Sequence, residues 1–303
     1  MNLFDCVIVG AGPAGITAAV YAARKRMRFM LISKDVGGQT ALSGDVENYT
    51  GYQFITGLEL VAKFEEHLKQ FDVPFRNDEA VLRVERRAAG GFNVVTARGA
   101  FETRSVIIAS GRRPRFLNAR GEEAFRNKGV SYCATCDGPL FAGKDVAIIG
   151  GGNSALDAAL QMMRIARRVY LLHAEPSLGG DPVMREKVAV SDRVELIAGA
   201  RTQEILGDLF VSGLRYEQGG ILKSLEVQGV FIEIGSTPNA DIVDLVAKNE
   251  GGEIKIDSMN RTDVPGIFAA GDVTDVPEKQ IIVAAGEGAK AVLGVFRYLS
   301  GLR

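Results

Sequence analysis

Tryptophan is absent from this chain of 303 residues, and cysteine and histidine are scarce, at three and two. Three cysteines in so long a chain do not make a disulfide framework. A structural zinc site needs four ligands; beyond one Cys-x-x-Cys pair only Cys6, His67 and His173 remain, without partner spacing, so no metal site is expected. Charge of either sign is not in excess either. Lys and Arg number 36 against 37 Asp and Glu, and no basic run carries interleaved aromatics, so nothing draws the chain to nucleic acid or to an anionic membrane. Long apolar runs are missing too: the stretch from Ile281 to Phe296 is broken by Glu287 and Lys290, and no bilayer span is expected. Met1-Asn2-Leu3-Phe4-Asp5 leads into an apolar strand with no charged leader or cleavage site, and the expected compartment is cytoplasmic.

What is present in quantity is glycine, 36 residues against 9 prolines, clustered beside strand-like runs. The clustering reveals an internal repeat. Asp5-Cys6-Val7-Ile8-Val9-Gly10 is matched by Asp145-Val146-Ala147-Ile148-Ile149-Gly150. Each is a short β-branched run, the composition of a buried parallel strand. A Gly-rich turn follows each: Gly10-Ala11-Gly12-Pro13-Ala14-Gly15 in the first, Gly150-Gly151-Gly152-Asn153-Ser154-Ala155 in the second. Both fit G-x-G-x-x-G/A in a strand–turn–helix setting, where the first glycine permits the turn and the second lets backbone approach a pyrophosphate. The third allows close helix–strand packing, and the helix start supplies N–H donors. In both copies the next strand is expected to end 23 residues after the first Gly, at Ser33 and at His173.

The ends of the two units match as well. Val106-Ile107-Ile108-Ala109-Ser110-Gly111-Arg112-Arg113-Pro114 aligns with Val230-Phe231-Ile232-Glu233-Ile234-Gly235-Ser236-Thr237-Pro238. Each strand leaves through a Gly-x-x-Pro turn, where the chain is expected to pass between domains. One such match is weak evidence; two, correctly placed and spaced, predict an α/β chain with two dinucleotide-binding folds and two dinucleotides. One would be a flavin held permanently, the other a nicotinamide cofactor that exchanges.

Ser131-Tyr132-Cys133-Ala134-Thr135-Cys136-Asp137-Gly138-Pro139 lies just before the second fingerprint. Cys-x-x-Cys can close a small reversible disulfide, often with one thiol of lowered pKa. Asp137 follows the second cysteine directly, as a proton-handling group for dithiol chemistry should. A purely structural disulfide is less attractive, because so short a loop removes little chain entropy. Cys6, in a buried strand, reads as core.

At this point the chain resembles the low-molecular-weight thioredoxin reductases and the related flavoprotein subunit of alkyl hydroperoxide reductase. Matching stretches are Gly10–Gly15, Gly37-Gly38-Gln39, Glu47-Asn48-Tyr49, Cys133–Gly138, Gly150–Ala155, Ala270-Gly271-Asp272, Lys279-Gln280-Ile281 and Gly286–Ala291, which together cover essentially the whole chain. The resemblance implies two Rossmann-like three-layer domains, the second inserted in the first. Residues 1–112 and 241–303 would bind FAD, and 113–240 would bind the nicotinamide and carry the cysteine pair. It implies a homodimer, and a rotation of the domains for which Gly111–Pro114 and Gly235–Pro238 are candidate hinges.

It also assigns residues. Cys136 would accept electrons from reduced FAD, Cys133 would attack the disulfide of a protein substrate, and Asp137 would act as acid and base. The flavin would be held by Gly10, Gly12, Pro13, Ala14, Gly15, Gly38, Gln39, Asn48, Gly111, Asp272, Lys279, Gln280 and Ile281. The nicotinamide cofactor would be held by Gly150, Gly152, Asn153, Ser154, Ala155, His173 and Glu175. Read alone, Asp272 could instead cap a following helix, Lys279 could be a solvated charge, Gln39 and Asn48 could serve loop hydrogen bonds, and His173 could end its strand facing solvent.

Members of the family that use NADPH carry His-Arg-Arg and a further Arg where this chain reads His173-Ala174-Glu175-Pro176-Ser177-Leu178-Gly179. The three arginine positions are Ala174, Glu175 and Gly179. Glu175 would repel a 2′-phosphate by about 4 kcal/mol at contact distance and an effective dielectric of about 20, before salt screening. It could instead hydrogen-bond a free ribose hydroxyl, so NADH is favoured over NADPH, although NADH-using relatives place their acid at the position of His173. Electron supply by ferredoxin or a deazaflavin is the alternative. A dithiol oxidase and a non-enzymatic flavin redox sensor are further readings. The acceptor is expected to be a separate thioredoxin or glutaredoxin-like protein, with a peroxidase as a possible downstream partner.

Overall fold

The computed structural model describes residues 3–43, 45–46 and 48–301; Met1, Asn2 and Glu47 of the stretches quoted above lie outside the described residues. The chain divides into two compact units. One comprises Met1–Leu42, Glu47–Arg113 and Thr237–Arg303; the other comprises Ser43–Val46 and Pro114–Ser236.

The first unit is built on a five-stranded sheet in the order Ile267–Ala269, Val106–Ile108, Cys6–Ala11, Phe29–Val36, Phe75–Arg76. Every pairing is parallel. The strand Cys6–Ala11 is buried on both faces, which explains its continuous β-branched composition. Cys6 and Ile8 pack with Ala14, Ile16 and Ala19 of the helix Pro13–Arg24 and with Val292 and Val295 of the helix Ile281–Gly301. Val7 and Val9 face the other way, toward Val84, Phe92 and Val94 of a three-stranded antiparallel meander, Val81–Arg86, Phe92–Thr96 and Gly99–Thr103. Each fully buried aliphatic side chain of this kind contributes about 1.5–3 kcal/mol. Cys6 is wholly buried among them, and burial pushes its thiol up to about 12, which leaves it inert.

The second unit repeats the plan. Its parallel sheet runs Val130–Ser131, Gly229–Ile232, Asp145–Ile149, Arg168–His173, Val194–Ala198. Val146 and Ile148 pack on Leu156, Ala159 and Met162 of the helix Asn153–Met162. Ala147 and Ile149 pack on Val211, Leu214 and Tyr216 of a second meander, Ala200–Gly207, Val211–Gln218 and Ile221–Leu225. In both units the fingerprint strand stands third in the sheet, and the meander precedes the closing strand. The three-layer α/β class is thus realised twice.

One expectation needs correction. The second strand of the first unit does not end at Ser33 but continues to Val36. Its register against Cys6–Ala11 shifts between Val9 and Ala11, so that Ala11 pairs with Val36. The Ser33 hydroxyl accepts the Ala11 N–H at 3.0 Å and donates to the Asp35 carbonyl at 2.6 Å, bridging the irregularity. In the second unit the equivalent strand does end at His173. No helix among the described residues is long and apolar enough to cross a membrane.

Candidate active site

Each fingerprint forms the start of a helix that has no side-chain cap. Gly12 precedes Pro13–Arg24 and Gly152 precedes Asn153–Met162, and neither first turn contains an acidic residue. The N–H donors and the positive end of each helix dipole therefore suit an anion. A β-carbon on Gly12 would find only the Gly37 carbonyl, 4.0 Å away, and one on Gly152 would find nothing within that distance. At both turns the backbone of the second glycine is thus open to close approach. Gly10 and Gly15 also serve the fold: a β-carbon on Gly15 would sit 1.7 Å from the Gly10 carbonyl oxygen. These features fit the dinucleotides that two fingerprints imply.

Around the first turn the structure gathers most of the expected flavin residues. Gly38, in the left-handed region at φ 54°, lies beside Gly12, and the Gly37 N–H donates to Ala11 at 2.8 Å. A β-carbon on Gly271, φ 75°, would meet the side chain of Ala14 at 3.1 Å, which puts the neighbouring Asp272 at the fingerprint. Gly10 approaches the backbone of Ala109 and Ser110, next to Gly111. The Asn48 amide donates to the Gln280 side chain at 3.0 Å, joining two expected residues from opposite ends of the chain. Gln39 lies in the short 3-10 helix Gly38–Leu42. Asp272 caps no helix directly, since the next one starts at Ile281.

Lys279 is not a solvated charge. Its ammonium pairs with Glu253 at 3.0 Å and donates to the Thr274 carbonyl. Glu253 also binds Arg112 and accepts from Asn249 at 2.6 Å. Burial opposes the charge on Glu253, but Asn249, Lys279 and Arg112 together hold its carboxyl below the ordinary value. Asp272 behaves oppositely: burial raises its carboxyl, against the pull of Lys279 and Arg112 and with the help of Glu287. Arg112 and Glu253 were not legible as site residues, because nothing in their local spacing marks an ion pair 141 positions apart.

In the second unit Cys133 and Cys136 form a disulfide with their Cα atoms 5.3 Å apart. The edge strand Val130–Ser131 delivers Cys133 as the N-cap of the helix Ala134–Asp137, and its sulfur accepts the Cys136 N–H at 3.2 Å. The Ser131 hydroxyl donates to Asp137 at 2.6 Å and accepts the Cys133 N–H at 3.1 Å, fixing the carboxylate beside the pair. Tyr132 donates to Glu122 at 2.7 Å, and burial, reinforced by that carboxylate, raises its hydroxyl above the ordinary range. Neither cysteine is fully buried, whereas Cys6 is, so the redox pair is the accessible sulfur chemistry of the described residues.

The expected nicotinamide residues divide. A β-carbon on Gly151 would lie 3.1 Å from that of His173, and Asn153 accepts the Asp181 N–H at 2.7 Å, so the turn, the strand end and the following loop come together. Gly150 approaches Glu233, and Ala155 is buried against the strand. Ser154 is exposed at the helix start. His173 does not face solvent; it is 4% exposed, and its Nδ1 is buried without a hydrogen-bond partner among the described residues. Glu175 is exposed two residues beyond the strand, anchored through its carbonyl to the Gly199 N–H at 3.2 Å. Sequence reasoning overlooked Glu233, although a charged residue interrupting Val230–Ile234 was a usable signal. Its carboxylate accepts the Ala134 N–H at 3.2 Å.

Comparison with known proteins agrees with this geometry. Residues 4–288 match the family model described as pyridine nucleotide-disulphide oxidoreductase. The chain is 42% identical over 300 residues to a Bacillus subtilis protein named NADH dehydrogenase, covering 98% of this chain and 58% of that protein. It is 42% identical over 302 residues to a subunit of alkyl hydroperoxide reductase from Xanthomonas campestris pv. phaseoli, covering 98% and 57%. The chain thus spans somewhat over half the length of these relatives. The structure superposes on thioredoxin reductase from Streptococcus pyogenes with a TM-score of 0.92 at 36% identity, covering 99% of both chains. The chain belongs to the pyridine nucleotide-disulphide oxidoreductases, a family of FAD-dependent disulfide oxidoreductases, and has the thioredoxin reductase form of their fold.

Proposed function

We propose that this chain reduces the disulfide of a thioredoxin-like protein at the expense of NADH, used in preference to NADPH, through FAD and the Cys133/Cys136 pair. The observation that carries the reading is the disulfide itself, on a four-residue helix with Asp137 held beside it by Ser131. FAD, when bound, supplies the two-electron reductant for that disulfide. Gly10, Gly12, Pro13, Ala14 and Gly15 would hold its pyrophosphate at the helix start, with Gly38, Gln39, Asn48, Gly111, Asp272, Lys279, Gln280 and Ile281 around the rest. Gly150, Gly152, Asn153, Ser154 and Ala155 would hold the nicotinamide cofactor, with His173 and Glu175 toward its adenosine ribose.

Reduction breaks the S–S bond and adds two electrons and two protons, leaving thiols at 133 and 136. The Cys133 thiol gives its proton to Asp137, and the thiolate attacks the partner's disulfide, forming the mixed disulfide and expelling one partner sulfur, which takes that proton from Asp137. Cys136 then loses its proton, attacks the Cys133 sulfur of the mixed disulfide, restores the Cys133–Cys136 bond and releases the second partner sulfur, which takes up that proton. The N–H of Cys136 stabilises a thiolate at Cys133, and the start of the helix adds its dipole. Relatives named for NADH and for alkyl hydroperoxide reduction support NADH as donor and a peroxidase further along the electron path. The family likeness supports a homodimer.

The loss of arginine at Ala174, Glu175 and Gly179 supports NADH over NADPH. The test is an anaerobic titration of FAD-loaded protein with NADH, NADPH, reduced ferredoxin and reduced deazaflavin, each in turn. Flavin absorbance should bleach with NADH at least about tenfold faster than with NADPH. Equal rates, or bleaching by ferredoxin or deazaflavin alone, would overturn the donor assignment.

A further inference from the structure

The two units differ in one respect that bears on the redox pair. Just after their closing strands, Ala109 aligns with Glu233. The backbone does the same work at both places: a β-carbon on Gly10 would lie 2.3 Å from the Ala109 carbonyl oxygen, and one on Gly150 would lie 2.3 Å from that of Glu233. Alanine suffices for that packing. The glutamate adds a carboxylate that accepts the N–H of Ala134, the first residue of the redox helix.

The edge strands make the comparison sharper. Val130 pairs with Val230 and Ile267 pairs with Val106, so Ala134 stands where the first unit has Gly271. There too a glutamate accepts the N–H: Glu287, buried, at 2.8 Å. Two unrelated elements thus supply the same acceptor at equivalent turns. The Cys136 N–H is taken by the Cys133 sulfur, and the Asp137 N–H by the Cys133 carbonyl at 3.1 Å. Glu233 therefore adds a third acceptor to those that fix this short helix.

Its charge matters as well as its reach. Burial raises the Glu233 carboxyl to about 7, against the Ala134 hydrogen bond and with Asp157 of the fingerprint helix adding to the effect. Asp157, exposed on that helix, is held by Gln161, whose own oxygen accepts from Thr135 of the redox helix. Asp137, at the far end of the redox helix, is occupied by Ser131. An ionised carboxylate anchored one residue from Cys133 opposes a thiolate there. A neutral one does not.

We propose that Glu233 is a positioning residue of the redox pair, holding the first turn of the helix between Cys133 and Cys136 and biasing the disulfide–dithiol equilibrium through its charge. The inference rests on the redox reading of the pair given above. It is tested on FAD-loaded protein equilibrated with dithiothreitol and its cyclic disulfide, the dithiol fraction being counted by thiol alkylation. In that exchange the S–S bond between Cys133 and Cys136 breaks and both sulfurs gain hydrogen, while the reagent's two thiols lose two electrons and two protons and close their own disulfide.

Glu233→Gln keeps an acceptor and removes the charge. Relative to wild type at the same pH, it should favour the dithiol by about three- to tenfold at pH 8 and by less than about twofold at pH 6. Glu233→Ala, which also lacks the acceptor, should alter the equilibrium at both pH values. Asp157→Asn, with Glu233 intact, should move the pH at which the wild-type bias appears to a lower value. A Glu233→Gln protein that matches wild type at pH 8, or is displaced equally at both pH values, overturns the inference. So does an Asp157→Asn protein with unchanged pH dependence, which decides the matter if the Glu233 variants do not load FAD. A pair that never exchanges with dithiothreitol overturns the redox reading itself.

Discussion

Gly288 of the helix Ile281–Gly301 lies against the backbone of Ala14, so close that a β-carbon at 288 would sit 2.0 Å from the Ala14 carbonyl oxygen. The contact locks the C-terminal helix onto the first fingerprint helix. Gly288→Ala should therefore lower the stability of the first unit by about 1–3 kcal/mol and weaken its hold on FAD. Gly286, two residues earlier, has nothing within 4 Å of its β-carbon position. Gly286→Ala should stabilise the same helix by about 0.5–1 kcal/mol. Thermal unfolding followed by flavin release measures both, and opposite signs are expected from two substitutions of the same kind.

The two fingerprints should fail separately. In Gly15→Ala the new methyl carbon would meet the Gly10 carbonyl oxygen at 1.7 Å, so the purified protein should be colourless or unstable. In Gly150→Ala the new carbon would meet the Glu233 carbonyl oxygen at 2.3 Å. That protein should keep its yellow colour but lose bleaching by NADH, with reduction by dithionite unaffected. Absorbance after gel filtration separates the outcomes; a colourless Gly150→Ala protein would contradict the assignment of the second turn.

Much of this was legible in the sequence, and the part that was not has a physical reason. The strands Cys6–Ala11 and Asp145–Ile149 are buried on both faces, so their composition alone marked them. The glycines at 10, 15 and 150 are required by contacts too close for any side chain, and such positions cannot hide. Ser33 misled because its hydroxyl bridges a local irregularity, which no hydrophobic period encodes. The ion pairs of Glu253 with Arg112 and Lys279 stayed invisible for another reason: they join residues from distant parts of the chain through loops, where only the fold decides which charges meet. Glu233 was readable in principle, as the one charge in the apolar run Val230–Ile234, but its target became evident only when Ala134 was placed beside it.

The two sulfurs should separate by role. Cys133→Ser should leave FAD binding intact and flavin reduction by NADH largely unchanged, while turnover with an oxidised thioredoxin falls by at least about 100-fold. Stopped-flow bleaching and steady-state insulin reduction read the two steps. Retained turnover would remove Cys133 from the exchange with the partner.

A pH dependence follows from the strand that opens the second unit. Arg167 binds Asp145 through two hydrogen bonds, of 2.8 and 2.6 Å, and those bonds, against the cost of burial, hold the Asp145 carboxyl below its ordinary value. A carboxyl depressed in the folded state stabilises the fold above its unfolded pKa of about 3.9, and the contribution disappears as pH falls through the folded value. Asp145→Asn should thus lower the urea midpoint of the second unit at pH 7, and the two proteins should converge once the pH falls below the folded value. A gap that persists undiminished at that pH would mean the pair acts through shape rather than charge.

The sheet order of the two units has a consequence for synthesis. All five strands of the second parallel sheet lie between Val130 and Ile232, so that sheet has every strand it needs soon after residue 232 clears the ribosome. The first sheet must wait for Ile267–Ala269 to reach its edge, and its covering helix runs on to Gly301. The strand Cys6–Ala11, apolar on both faces, is therefore made long before its sheet can be completed, and until Ile267–Ala269 has been synthesised it exposes surface that favours aggregation.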